Sequence, residues 1–198
     1  MSRVTYVDES SDGRREMELD SRFLSQRMIF LSGEVNDEMA DDFVKKMMYL
    51  SESDEPVNII LNSPGGAVDA GLVIYDMIRG YEGKIPINIF CAGKAMSMGA
   101  VILAGGQNGR RFILPHSRCM IHEPLIRNGI GGSATSICKT AESILEIRKL
   151  TNGILAEHTG RSIEEIDEAT SFDNFMNAEE AVKFGLCDEI RDYIGDIK

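Results

Sequence analysis

The chain has 198 residues, enough for one domain with a sizeable buried core and rather short for two. Charged residues make up 27% and hydrophobic residues 43%, which is ordinary for a globular protein and argues against disorder or a fibrous architecture. Lys and Arg number 21 against 32 Asp and Glu, giving a net charge of -11. This charge repels nucleic-acid phosphates and anionic lipid, so we expect neither nucleic acid nor a membrane as a partner.

The N-terminal composition and the cysteines favour a cytoplasmic location. Residues 1–15 are polar and mixed in charge, unlike a secretory signal, and no segment is apolar enough to span a bilayer. The four cysteines lack the short spacings of zinc or redox motifs, so we interpret them as reduced thiols. No metal-ligand spacing and no Walker loop are found either, and we expect neither a metal nor a cofactor.

In chain order, residues 1–20 have little periodicity and are interpreted as a flexible N-terminal arm, ahead of a single domain over 21–198. From residue 27 onward, short apolar runs alternate with amphipathic stretches, which is typical of an α/β domain. Five short runs, mostly apolar and with Ile prominent, are predicted to be buried strands of a largely parallel sheet: 28–31, 57–62, 87–91, 111–114 and 119–121.

Helices are predicted between and after these strands. Asn36 can cap the first of them, and a second is indicated by apolar residues at steps of three. A long helix is predicted from about Ser133 to His158, with Gly160 as its terminator, and it is long enough to project from the globule. Two further short helices are predicted by a capping residue with an acid three positions later: Ser162 with Glu165, and Asn177 with Glu180.

A serine stands where the third predicted strand gives way to an apolar helix. Ser97 lies in the run Gly-Lys-Ala-Met-Ser-Met-Gly-Ala at 93–100. Such a junction exposes a hydroxyl at the end of the sheet and directs backbone N–H groups towards charge that forms beside it, as in a nucleophile elbow. The sequence Gly-x-Ser-x-Gly itself is absent, and on this run alone a plain helix cap is the more frequent role for such a serine.

Two neighbouring strand ends carry further candidates. Asn-Ser-Pro-Gly-Gly at 62–66 has paired glycines that allow backbone N–H groups to approach a ligand, although a tight turn is the alternative. The N–H of Met98 would be a second donor, because the residue after a nucleophile commonly supplies one. His122 ends the fifth strand, at the edge where ligands gather in open α/β sheets, and a structural histidine is the alternative there.

Together these motifs resemble the Clp protease family, serine peptidases with a crotonase-like fold. The likeness runs from about residue 24 to 190. It rests on Asn-Ser-Pro-Gly-Gly at 62–66, the run at 93–100, Leu-Pro-His-Ser-Arg-Cys-Met-Ile-His-Glu-Pro at 114–124, His-Thr-Gly at 158–160, and Asp-Asn-Phe-Met-Asn-Ala-Glu-Glu-Ala-Val-Lys-Phe-Gly-Leu at 173–186. The resemblance implies an α/β, crotonase-like (ClpP) ββα superhelix with a protruding long handle helix around 126–158.

The resemblance also implies the roles of five site residues. Ser97 would be the nucleophile, His122 the general base and Asp173 the residue that orients it. Gly66 and Met98 would donate backbone N–H groups to the oxyanion. Asp173 enters only through the resemblance, because 32 acidic residues compete for the role. The implied activity is a serine endopeptidase that cleaves unfolded proteins and peptides through an acyl-enzyme.

For the assembly, the resemblance implies heptameric rings stacked as a tetradecamer around a chamber. An AAA+ Clp ATPase would feed unfolded polypeptide into it. The long helix would interlock the two rings, residues 1–20 would be candidates for an axial loop, and residues 126–132 would pair with an extended substrate by β-augmentation.

Several positions depart from the family pattern. Met96 stands where the family usually has Ala, and Glu123 where it has Gln. Phe172 stands where many members carry an Arg that forms ion pairs between rings, which Phe cannot make. Two other classes therefore stay open. One is a catalytically silent or partner-dependent ring subunit. The other is a crotonase-type acyl-CoA enzyme, which uses similar N–H pairs without a Ser-His-Asp set.

Overall fold

The structure is a computed structural model that describes residues 5–10, 13–126, 129 and 131–194. Strands and helices alternate along the described chain. The strands are β1 (Thr5–Ser10), β2 (Gly13–Glu18), β3 (Met28–Ser32), β4 (Val57–Ser63), β5 (Ile87–Met96), β6 (Arg111–Ile113), β7 (Arg118–Ile121), β8 (Asn174–Met176) and β9 (Glu189–Ile190). The helices are α1 (Leu19–Ser25), α2 (Asp37–Leu50), α3 (Val68–Gly80), α4 (Met98–Ala104), α5 (Ala134–Thr159), α6 (Ile163–Thr170) and α7 (Ala178–Phe184).

Seven strands form one sheet in which β3, β4, β5, β6 and β9 lie side by side in parallel. The long strand β5 changes partner along its length: residues 89–91 pair with β6, and residues 94–96 pair with β7, again in parallel. The last pair, β7 with β8, is antiparallel. All five predicted strands are present, and the largely parallel α/β architecture is confirmed. The prediction for the third strand, 87–91, stopped five residues before the end of β5. The remaining residues are less apolar and are extended because they pair with β7.

The core anchors the helix that follows β5. Every residue of α4 is buried, and Ile102 and Leu103 are fully buried. They share one apolar cluster with Phe43 of α2 and Ile74 of α3. A second, smaller cluster contains Phe90 and Phe112, which stack with ring centroids 4.9 Å apart. Because α4 has no exposed face, its first turn has little freedom to move relative to the sheet.

The helix ends follow the predicted capping residues. Asn36 accepts a hydrogen bond from the N–H of Met39, and both predicted capping boxes form at α6 and α7. The long helix α5 begins after Ser133 and ends at Gly160, whose φ of 71° is left-handed. Among the described residues, no helix is long and apolar enough to cross a membrane.

The two halves of α5 differ in burial. Its buried residues, Thr151, Asn152, Ile154 and Leu155, all lie in the C-terminal half. The helix has 26 residues and is therefore about 39 Å long. Its N-terminal half projects beyond the packed part of the domain, as the handle prediction requires. The predicted substrate strand at 126–132 lies partly outside the described residues.

The described part of the N-terminal segment forms a pair of strands. β1 and β2 pair antiparallel from Thr5 opposite Glu18 to Ser10 opposite Gly13. Residues 5–7 are rich in residues that favour strands. Strand pairing does not test mobility, so the flexible arm over residues 1–20 stays a prediction.

A buried ion pair joins the far edge of the sheet to three helix ends. Arg111 of β6 is 5% exposed, and its Nη2 donates to Asp188 Oδ1 at 2.6 Å. Its Nη1 donates to the carbonyl groups of Ala104, His158 and Gly185, at the ends of α4, α5 and α7. The guanidinium thus satisfies carbonyls that helix termini leave without intrahelical partners.

We expect Asp188→Asn to lower the free energy of unfolding by about 3 kcal/mol, because the buried cation loses its anion. Burial raises the pKa of the Asp188 carboxyl, but the hydrogen bonds from Arg111 outweigh it and the net pKa is below its ordinary value. The stabilisation is therefore present above the unfolded aspartate pKa of about 3.9 and is lost as the pH falls through the lower folded value. Urea unfolding at several pH values measures both effects.

The matched control is Asp42→Asn, whose pair with Lys46 is on the surface of α2. Because that carboxylate is exposed, the control should cost less than about 0.5 kcal/mol. Equal losses in the two variants would contradict the role given to the buried pair.

Candidate active site

Ser97 occupies a sharp turn between β5 and α4. Its dihedrals are φ 52° and ψ -121°, and among the described residues only Arg27 shares a positive φ without being glycine. Its N–H donates to the carbonyl of Met120 on β7 at 2.7 Å, and its side chain makes no capping hydrogen bond. The helix-cap alternative is therefore wrong. Strained backbone of this kind costs about 1–3 kcal/mol and is held in place by the surrounding structure.

His122 reaches Ser97 because β7 runs parallel to β5. Met96 pairs with Met120, so the residues that follow both strands leave the sheet at the same edge. His122 Nε2 lies 2.9 Å from Ser97 Oγ, and the imidazole side chain is 14% exposed. A purely structural histidine does not account for this contact, because the Ser97 hydroxyl makes no capping hydrogen bond to α4.

Asp173 is brought to His122 by the antiparallel pairing of β7 with β8. Ile121 pairs with Asn174, so the next residue of one strand faces the preceding residue of the other. Asp173 Oδ1 lies 2.9 Å from His122 Nδ1, while the carboxylate side chain is 58% exposed. The structure thus brings together all three predicted side chains in the order Ser97, His122, Asp173.

The glycine turn after β4 packs directly against Ser97. A Cβ on Gly65 would lie 2.7 Å from Ser97 Cβ and 2.9 Å from Met98 N, and φ there is 89°. Gly66 bridges to Val35, but that bridge uses the carbonyl of Gly65 and the N–H of Ala67. Within the described chain, the N–H groups of Gly66 and Met98 therefore have no hydrogen-bond acceptor. Sequence reasoning selected Gly66 and missed the contact made by Gly65.

A small cavity opens beside the serine. Its volume is about 30 Å³, and most of the side chains around it are apolar. Two of them, Thr151 and Leu155, come from the buried half of α5, which sequence reasoning did not connect with the site. The lining residues are Val68, Ser97, Met98, Val101, Ile121, His122, Pro124, Thr151 and Leu155.

Three buried cysteines lie in the core. A hydrogen bond with Cys91 and burial raise the pKa of the Cys119 thiol far above its ordinary value. Burial raises the pKa of Cys187 to about 12. Thiolate is the reactive form, so the raised pKa values of Cys119 and Cys187 disfavour a nucleophilic role for these two thiols near neutral pH. The described residues also contain no group of three or more His, Cys, Asp or Glu side chains placed to hold a metal ion.

A serine, a histidine and an aspartate linked in series at the edge of an α/β sheet form an arrangement that recurs in hydrolases of several folds. The family model described as Clp protease matches residues 11–193. The chain belongs to the Clp protease family. The crotonase-like (ClpP) fold predicted from the sequence is thereby confirmed, and the protein is a peptidase of the ClpP type.

The strained backbone at Ser97 predicts a stability difference between two substitutions that both remove the hydroxyl. Ser97→Gly should have a free energy of unfolding about 1 kcal/mol higher than Ser97→Ala, because glycine adopts φ near 52° without a Cβ penalty. Denaturant unfolding of the two variants measures the difference. An alanine variant as stable as the glycine variant would show that the turn is not strained.

The contact between Gly65 and Ser97 predicts that Gly65→Ala lowers kcat by about 100-fold, because the added Cβ displaces Ser97 from His122. Peptidase assays measure this effect. The matched control is Gly80→Ala at the end of α3, where a Cβ meets nothing within 4 Å. A Gly65→Ala enzyme with the activity of the control would contradict the importance of this approach.

Proposed function

We propose that this protein is a serine endopeptidase in which Ser97, His122 and Asp173 act as a catalytic triad. The observation that carries the proposal is the pair of 2.9 Å contacts that link the hydroxyl to the imidazole and the imidazole to the carboxylate. Family membership supplies the reaction class, peptide-bond hydrolysis. The strained backbone of Ser97, and the absence of a capping hydrogen bond from its side chain, also support a reactive role.

In the acylation step, His122 Nε2 takes the proton of Ser97 while Oγ attacks the peptide carbonyl. The Nδ1–H of the imidazole donates to the carboxylate of Asp173, which fixes the tautomer with Nε2 free to accept. The same nitrogen then gives the proton to the departing amine. Water repeats the sequence on the acyl-enzyme and releases the second product.

Negative charge forms on the carbonyl oxygen in the transition state. Met98 directly follows Ser97, and Gly66 directly follows Gly65, which packs against Ser97. The N–H groups of Gly66 and Met98 have no competing acceptor in the described chain. We assign them as the oxyanion donors. Each such donor contributes about 3 kcal/mol to transition-state stabilisation in serine peptidases of known mechanism.

Substrate selection is proposed to depend on shape rather than on charge. The cavity beside Ser97 has apolar walls formed by Val68, Val101, Ile121 and Leu155, so it suits an apolar side chain next to the scissile bond. A charged side chain would lose hydration there without gaining a partner.

We further propose that the subunit works in stacked heptameric rings supplied with unfolded polypeptide by an AAA+ Clp ATPase, in the cytoplasm. Family membership supports oligomerisation and a Clp ATPase partner. The exposed half of α5 offers a surface for contacts between subunits. The four free cysteines suit a reducing compartment.

One observation favours a second candidate, a ring subunit that is active only beside a partner subunit. Phe172 is 84% exposed and adjoins the half-exposed Asp173, so the triad's outer end is open to solvent in the single chain. Activity of the purified protein alone would eliminate this candidate. The observed Ser-His-Asp contacts do not support the acyl-CoA enzyme alternative, because polarising a thioester does not require them.

The proposal predicts that Ser97→Ala lowers kcat for peptide hydrolysis by about 10⁶-fold, because triad members act as a unit. A fluorophosphonate probe should bond to Ser97 Oγ with release of fluoride, and mass spectrometry locates the adduct. The matched control is Ser51→Ala at the end of α2, a serine whose hydroxyl donates to the backbone carbonyl of Met48. If Ser97→Ala retains wild-type peptidase activity, the proposed mechanism fails.

A further inference from the structure

A buried asparagine on α5 is hydrogen-bonded to α6, the helix that precedes Asp173. Asn152 is 1% exposed, and its Nδ2 donates to Thr170 Oγ1 at 3.1 Å and to Asp167 Oδ1 at 2.6 Å. Both acceptors belong to α6, and Thr170 is its last residue. Burying an amide among apolar residues is costly unless it is hydrogen-bonded, so Asn152 fastens the end of α6 to α5.

Thr170 is also bonded to the segment that carries His122. The N–H of Glu123, the residue after His122, donates to the carbonyl of Thr170 at 2.8 Å. Three residues beyond Thr170 stands Asp173. One fully buried threonine is therefore hydrogen-bonded through its side chain to α5 and through its carbonyl to the residue that follows His122.

A charged side chain on the same face of α5 spans the same two segments. Arg148 lies four residues before Asn152, and its Nε is 3.3 Å from Glu123 Oε2 while its Nη2 is 3.6 Å from Asp167 Oδ1. The Nε atom is buried and makes no well-aligned hydrogen bond in the described chain. The guanidinium thus lies between two carboxylates without fully satisfying its own donors.

Packing alone does little to hold the segment that follows Thr170. Ser171 and Phe172 are exposed, and Asp173 is more than half exposed. Its position relative to His122 is set by the three-residue strand β8 on one side and by Thr170 on the other. On one side of Asp173, the restraints are therefore the hydrogen bonds at Thr170 and those that Ser171 donates from its N–H and its hydroxyl to the carbonyl of Glu168.

We propose that Asn152 and Thr170, assisted by Arg148, are positioning residues that hold Asp173 at hydrogen-bonding distance from His122. This inference rests on the proposed triad function. Neither residue touches substrate, and both act through Asp173. The long helix α5 thereby takes part in catalysis through its buried half, independently of anything that its exposed half contacts.

The test uses two substitutions of Thr170 in the full-length, assembled protein. Thr170→Val keeps the shape but removes the hydroxyl, and we expect kcat to fall about 10-fold or more with KM unchanged. Thr170→Ser keeps the hydroxyl but loses a buried methyl group, and we expect a lower unfolding midpoint with kcat within about twofold of wild type. Size-exclusion chromatography with light scattering checks that both variants assemble like wild type.

Thr170→Val also loses the hydrogen bonds that its hydroxyl makes with Asn152 and with the carbonyl of Ile166, so both variants are expected to be destabilised. Activity is therefore measured well below both unfolding midpoints, where a loss of kcat in the valine variant alone distinguishes positioning from a merely structural role. If kcat instead follows the unfolding midpoint, with the serine variant the less active, the inference is wrong. Equal kcat values in the two variants would overturn it as well.

A second measurement tests whether the effect passes through Asp173. Asn152→Leu should slow fluorophosphonate labelling of Ser97 about 10-fold in the wild-type background and change it little in the Asp173→Asn background, because coupled residues are not additive. If Asn152→Leu slows labelling by the same factor in both backgrounds, the inference is overturned while the proposed function is left intact. A wild-type protein whose Ser97 does not label, and whose Ser97→Ala variant is unimpaired, would remove the proposed function itself.

Discussion

The change of partner along β5 is the constraint on which the rest of the site depends. The strand is held first by β6 and then by β7, so it extends past the middle of the sheet before the chain turns at Ser97. The N–H of Ser97 is bonded to β7, and α4 then enters a core in which all its residues are buried. Ser97 and His122 are thus positioned by main-chain pairing, and the positive φ of Ser97 is held by the elements on either side of it.

The third member of the site is held differently. Asp173 depends on the short antiparallel pairing of β8 and on polar contacts from Asn152 to the end of α6. Main-chain ladders resist displacement cooperatively, whereas a few side-chain hydrogen bonds contribute about 1 kcal/mol each. The contact between Ser97 and His122 is therefore more firmly held than the contact between His122 and Asp173, and the latter is the one closer to solvent.

Local signals explain which parts were accessible from the sequence. The capping boxes at Ser162 and Asn177 formed as predicted, since a cap needs only residues three positions apart. Ser97 and His122 could be selected because both follow apolar strands that leave the sheet at one edge. Asp173 could be selected only by resemblance. Its contact with His122, a residue 51 positions earlier in the chain, results from the pairing of β7 with β8, and no local pattern encodes that register. Asn152 escaped notice because a polar residue in a long helix is usually solvated, and only tertiary packing shows it to be buried.

The exposure of Asp173 gives the contact with His122 a variable strength. Two opposite charges 4 Å apart attract by about 1 kcal/mol in water and about 4 kcal/mol at an effective dielectric constant of 20. With the carboxylate 58% exposed, the interaction is near the weaker limit and is screened by dissolved ions. Any layer of protein that excludes water from this surface raises the attraction without moving an atom of the site. The local dielectric constant at Asp173 is therefore itself a determinant of how strongly the imidazolium is stabilised.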